Sequence, residues 1–183
     1  KTMERRGVSP DLAKIIVRTH TSVIAALMVK LGDADAMLCG PVGRYHRHLE
    51  HISQIIGTNN DCNVIAALNV IVHEKGSFFI ADTYVNRDPS VDQLTKITLL
   101  AAEQVRRFGI TPKIALLSHS SFGSSSSPSA QKMRDVLERL SEIAPDLEVE
   151  GEMHADAALD PENRLRIFPN SRFKNEANLL IMP

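Results

Sequence analysis

Two stretches carry residue types that could do chemistry. The first is Ser118 to Ser126, rich in hydroxyls, with His119 and Gly123 inside it. It lies between a short apolar run, Ile114 to Leu117, and a helical pattern that opens at Ser127-Pro128. A helix N-terminus offers free N–H groups and a favourable dipole, and serine hydroxyls add donors, a combination that suits a phosphate or another anion. The same composition also suits a solvated linker. Its place at the carboxyl end of a strand, where open α/β sheets bind ligands, favours a site. The second stretch is Gly40 to Ile52, where Arg44, His46, Arg47, His48 and His51 crowd a helix start. Such a cluster can hold an anionic ligand, with Arg44 and Arg47 as the strongest donors. A charged helix flank explains it equally well. His48 and His51 share a helix face at i, i+3, but His46 does not, and Cys39 lies across a turn; this spacing matches no zinc pattern, so no metal is expected.

Other polar groups have plainer readings. Asp33 and Asp35 read as solvated punctuation of a turn, and His20 as a helix boundary. Asp82 and Asn86 follow a strand and read as ligand-facing groups or as turn residues. Glu152, His154 and Asp156 form an acid/base set only if their segment is extended, because i, i+2, i+4 spacing then puts them on one face.

The elements that must position these residues alternate in type. Ser9-Pro10 starts a helix with Leu12, Ile15, Ile16 and Thr19 on one side, and Gly32 ends its continuation. Met37 to Gly40 reads as a short strand. Asn63 to Val72 and Ser77 to Ala81 read as a hairpin around Glu74-Lys75-Gly76. Asp88-Pro89 starts a helix with the stripe Leu94, Ile97, Thr98, Ala101, Val105 and Phe108, stopped by Gly109. After the strand Ile114–Leu117, the helix from Pro128 buries Met133, Val136, Leu137, Leu140 and Ala144. Pro145 to Gly151 reads as an edge strand, Leu159 to Asn175 as polar and irregular, and Ala177 to Met182 as the last strand. The pattern predicts a three-layer α/β/α fold with a mostly parallel sheet.

The 183 residues are 43% hydrophobic with a net charge of −1, so disorder is not expected, nor a field that gathers nucleic acid or an anionic membrane surface. Cys39 and Cys62 are too few for a disulfide framework, and the cytoplasm is the expected compartment. No apolar run is long enough to span a bilayer. There is no G-x-G-x-x-G, Walker loop, nucleophile elbow, H-E-x-x-H or CxxC pair. Lys1 is not an initiator methionine and the chain stops just after a strand-like run, so residues 1–183 are expected to be one domain cut from a longer polypeptide.

The runs Gly32 to Gly40, Phe79 to Asp82 with Asp88-Pro89-Ser90, Ile114 to Ser124, and Gly151 to Ala158 together resemble the phosphate acetyltransferase (phosphotransacetylase) family. The Ser118–Ser124 form, Gly151-Glu-Met-His154 and Arg44-Tyr-His-Arg-His48 are most similar to one branch, the C-terminal phosphotransacetylase-like domain of bacterial NADP-dependent malic enzymes. The resemblance implies an isocitrate/isopropylmalate dehydrogenase-like fold of two lobes with a cleft, and a homodimer within a larger homo-oligomer. The active enzymes place a catalytic Ser-Arg pair and an Asp beyond the last strand, so no catalytic residue is assigned here. Where they carry an arginine, this chain has Glu50, and Arg44 and Tyr45 replace small hydroxyls. A carboxylate at Glu50 would repel phosphate. A second family arginine aligns with Met3, with Arg5 and Arg6 as candidates to replace it. The branch implies a regulatory domain without a cofactor of its own, binding acetyl-CoA through Arg44, Tyr45, Arg47, His48, Ser118, Ser120, Ser121, Gly123 and Ser124. NADP and a divalent metal would serve the malic-enzyme part. The alternatives are an active phosphate acetyltransferase and an oligomerisation module with a relict cleft.

Overall fold

Helix starts follow the local chemistry. Ser9 accepts the N–H of Leu12 and Pro10 occupies the first turn of α1 (Pro10–Thr19). Ser90 and Gln93 form a full capping box at the head of α4 (Val91–Arg107). The structure is a computed structural model and describes residues 3–58, 63–74 and 76–183. Its chain divides into two units, residues 1–63 and 64–183.

The first unit is helical. After α1, His20 takes extended backbone angles and α2 (Thr21–Leu31) follows at a bend of 109°. Gly32 ends α2 at φ 82°, donating its N–H to Met28 and Val29. α3 (Tyr45–Ile55) packs against α2 around Val23, Ala26 and Ile55. α1 buries no residue, and Leu12 and Ile15 of its expected inner side stay exposed. Three short helices enclose too little interior to cover every apolar stripe. Met37 to Gly40 is not a strand: it has no ladder partner among the described residues, and Leu38 is fully exposed. An isolated apolar tetrapeptide cannot satisfy its backbone as a strand without a neighbour. No single described helix is long and apolar enough to cross a membrane.

The second unit is the expected three-layer α/β/α fold. Its described strands β1 (Asn69–His73), β2 (Gly76–Ala81), β3 (Lys113–Leu117), β4 (Glu148–Met153) and β5 (Leu179–Ile181) form one sheet in the order β1-β2-β5-β3-β4. Only β1 with β2 is antiparallel. The hairpin begins at Asn69, not Asn63, and Lys75 of its turn lies outside the described residues, as does Cys62. β5 is central and buried on both faces, which explains its unbroken Leu-Leu-Ile. α4 and α5 (Pro128–Ile143) cover one face through Leu94, Ile97, Val105, Met133, Val136 and Leu140. Burying each such large side chain contributes roughly 1.5–3 kcal/mol. Two departures mark α4: it starts at Val91, after Asp88-Pro89, and Phe108 remains 62% exposed although its ring meets Phe79 at 5.4 Å.

The other face is covered by α6 (Ala155–Leu159), with α7 (Pro161–Ile167) following, so the segment expected to be irregular is partly helical. Asp160 caps α7 through the N–H groups of Glu162 and Asn163, and Pro161 enters its first turn. Arg164 is fully buried, donating to the carbonyls of Ala157 and Asn175 with its guanidinium over the Phe173 ring.

Gly151 has φ 152°, and an added Cβ would stand 2.7 Å from the Leu116 carbonyl oxygen. Gly151→Ala should therefore destabilise the second unit by about 3 kcal/mol, combining overpacking with a disfavoured backbone. A urea midpoint lowered with an unchanged slope would show it.

Candidate functional site

The serine loop leaves the carboxyl end of β3, and its shape comes from β4. Leu116 pairs with Gly151 and Leu117 with Met153, so Glu152 is an extra residue, a bulge that re-aims its side chain. Glu152 is 1% exposed and lies beneath the loop. Its Oε1 accepts from Ser120 Oγ at 2.6 Å, Gly123 N–H at 3.0 Å and Arg134 Nη1 of α5 at 2.9 Å. Its main-chain oxygen accepts the N–H of Phe122 at 2.8 Å. Burial alone pushes the Glu152 carboxyl up, but the bonds from Ser120, Gly123 and its own N–H, with the Arg134 charge, more than offset this and hold it below the usual glutamate range.

The loop hydroxyls serve the loop itself. Ser120 is fully buried, and its oxygen also accepts the N–H of Ser125 and meets Ser124 Oγ at 3.1 Å. Ser118 Oγ accepts the N–H of Ser120, Ser124 Oγ that of Ser121, and Ser121 Oγ that of His154. Ser127 caps α5. Gly123 and Ser124 are exposed; Ser118 and Ser121 are half-buried. The ring of His154 bonds the His119 carbonyl at 2.7 Å. Glu152, His154 and Asp156 do not act as one set: Glu152 points under the loop, His154 is exposed, and Asp156 begins α6 and accepts from Asn163. Asp82 is a turn residue, accepting from the N–H groups of Ala67, Val85 and Asn86 and from the Asn86 side chain.

The basic cluster forms a pocket within the first unit, about 510 Å³, lined by Thr19, His20, Thr21, Ser22 and Val42 to Arg44 together with Arg47, His48 and His51. Two helix heads meet there, α2 behind His20 and α3 behind Arg44, and neither has a side-chain cap. Arg44 and Arg47 are exposed and enter no ion pair among the described residues. His48 donates Nε2–H to the Val42 carbonyl at 2.9 Å, and its shielded Nδ1 has no partner among the described residues. His51 Nδ1 meets Ser22 Oγ at 2.8 Å, and its ring stands edge-on to His20. Burial, then His20, lowers the His51 pKa, while Glu50 pulls it back up. His46 turns away against the Tyr45 ring, as the helical spacing predicted. Glu50 does not line this pocket; it accepts from Gln54 one turn further along α3. Its charge therefore opposes an anion less directly than the alignment implied.

Residues 1–183 match the family described as phosphate acetyl/butaryl transferase. The chain belongs to this family. It is 51% identical over 179 residues to a NAD-dependent malic enzyme of Rhizobium meliloti (strain 1021), covering 98% of this chain and 23% of that protein. It is 50% identical over 182 residues to a NADP-dependent malic enzyme of Salmonella typhimurium (strain LT2), covering 99% and 24%. A phosphotransacetylase structure from Streptococcus pyogenes superposes with a TM-score of 0.87 at 30% identity, covering all of this chain and 56% of that one. This chain thus spans about a quarter of the length of these malic enzymes. Within the phosphate acetyl/butaryl transferase family, the residues that sequence reasoning undervalued here are Glu152 and Arg134. Their signal was a glutamate next to the apolar Met153 at the end of β4 and an arginine nearly two turns into α5.

Removing the Glu152 carboxylate takes the acceptor from Ser120 Oγ, Gly123 N–H and Arg134 Nη1, though Arg134 keeps the Ser125 carbonyl and Gln131, so Glu152→Ala should cost roughly 2–4 kcal/mol. Because the folded pKa is depressed, the stability this group contributes is present above the ordinary glutamate range and lost as pH falls through the lower value. Amide protection across residues 118–126 of the intact protein, taken relative to the intrinsic exchange rate at each pH, should fall on acidification, and Glu152→Gln should already show the lower protection at neutral pH.

Proposed function

We propose that this chain is the regulatory phosphotransacetylase-like part of a malic enzyme and binds acetyl-CoA as an inhibitor of malate oxidative decarboxylation. The observation that carries the reading is the basic pocket, where three histidines, two helix heads without a side-chain cap and two arginines in no ion pair among the described residues converge. The ligand phosphates are the anions it would hold, with Arg44 and Arg47 as donors and Tyr45 and His48 beside them. In the second unit the remaining candidate residues are Gly123 and Ser124, exposed, and Ser118 and Ser121, partly open, while Ser120 shapes their loop from within. Near-half identity to malic enzymes supports the oxidoreductase context. Those two relatives differ in nicotinamide at nearly equal identity. NADP and a divalent metal would belong to the malic-enzyme part. The protein would work in the cytoplasm as a homodimer through this segment within a larger homo-oligomer. Inhibition requires that acetyl-CoA prefer one arrangement of that oligomer.

A second reading is an active phosphate acetyltransferase, joining acetyl phosphate and CoA by positioning. The close superposition on a phosphotransacetylase favours it. One experiment separates the two: titrate acetyl-CoA into the intact protein and assay malate decarboxylation and acetyl phosphate turnover in parallel. Binding with inhibition and without acetyl transfer is expected; acetyl transfer would establish the second reading. Arg47→Ala should weaken acetyl-CoA about tenfold or more, as loss of one charge-assisted contact does, and relieve inhibition by the same factor.

A further inference from the structure

The basic pocket has a neighbour. A cavity of about 580 Å³ lies on the other side of His20, Arg47 and His51, the three residues that line both spaces. Its remaining wall is largely apolar, with Ala13, Ile16 and Val17 of α1, Val23 and Leu27 of α2, and Ile55 of α3. Spaces of roughly 300–1,000 Å³ are the size that small ligands fill. The two differ sharply in character. Glu4 and Glu50 line the apolar cavity and not the basic one, whereas Arg44 and His48 line the basic one and not the apolar one. An acidic group is therefore favoured only on the basic side, and a hydrocarbon only on the other.

From this juxtaposition we propose that the first unit binds an anionic amphiphile: a phosphate or carboxylate head in the Arg44/Arg47/His48 pocket and an alkyl or acyl chain in the cavity under α1. The charge of the adjoining pocket is what selects this occupant over a purely apolar one. The head would bond Arg44 and Arg47 and the open N–H groups at the start of α2 and α3. The chain would pass His20 and His51 and cover Ile16, Val17 and Leu27, apolar groups that this unit leaves only partly buried. The inference rests on the preceding reading only in taking the basic pocket as an anion site; a ligand of this kind would compete there with acetyl-CoA.

The test titrates butyl, hexyl and octyl phosphate, with octanoate and inorganic phosphate beside them, into the intact protein by calorimetry. Burying the chain should tighten binding about threefold or more per methylene along the alkyl phosphates, and octanoate should bind more tightly than inorganic phosphate. Ala13→Phe fills the cavity and should flatten the series; Val8→Asp, in the segment before α1, should do the same should the first variant fold poorly. Arg47→Ala should weaken every member. A flat series in the wild type overturns the inference. A rise that survives Ala13→Phe or Val8→Asp also overturns it. Acetyl-CoA titrated in parallel keeps the two readings apart: its binding beside a flat alkyl series sinks this proposal alone, and an alkyl rise without acetyl-CoA binding supports this one and sinks the other.

Discussion

A carboxylate held out of water organises the carboxyl edge of the sheet. Glu152 would be costly to bury alone, since a charge without compensation loses several kcal/mol of hydration. Ser120, Gly123 and Arg134 converge on one of its oxygens, and Phe122 bonds its backbone. The end of β4, the turn after β3 and the first half of α5 are thereby tied to one group. The bulge at Glu152 is what makes this possible. It also flips the alternation of β4, so that Val149 packs with α4 and α5 while Met153 packs on the opposite face.

This constraint decides what the serine loop can do. A run of hydroxyls at a helix head suggests an anion cradle, yet its centre here is a negative charge and its oxygens mostly answer its own N–H groups. Ser127 closes the head of α5. In the first unit, by contrast, the heads of α2 and α3 have no side-chain cap and Arg44 and Arg47 no carboxylate partner among the described residues. Gly43 belongs to that design: it holds φ 106° and a Cβ there would stand 3.0 Å from His48 Nε2, so the turn before α3 lets the imidazole reach the Val42 carbonyl.

Local signals were read well wherever one residue type satisfies one backbone need. Ser9, Ser90 and Ser127 head helices, Gly32 and Gly109 end them, and Met133, Val136 and Leu140 face inward at helical spacing. The same logic, applied to Asp160-Pro161, would have found α7. Met37 to Gly40 misled because an apolar run reads as a strand whether or not another strand is there to pair with it. Asp82 and Asn86 stood at a strand end as ligand groups would, but they bind each other and the nearby backbone.

The sequence by itself determined the helices and their caps, the alternation that demands a layered sheet, and the family, because each rests on residues close in the chain. Tertiary structure alone decided that β5 enters between β2 and β3, that Glu152 turns under the loop while His154 stays outside, that Arg164 is buried against carbonyls, and that Arg47 and His51 stand between a basic space and an apolar one. The reason is common to all four. Each depends on partners from 7 to more than 60 residues away, as Lys113 and Asn178 or Ser120 and Glu152 show. No periodicity within a single element records which distant backbone group or charge will meet it.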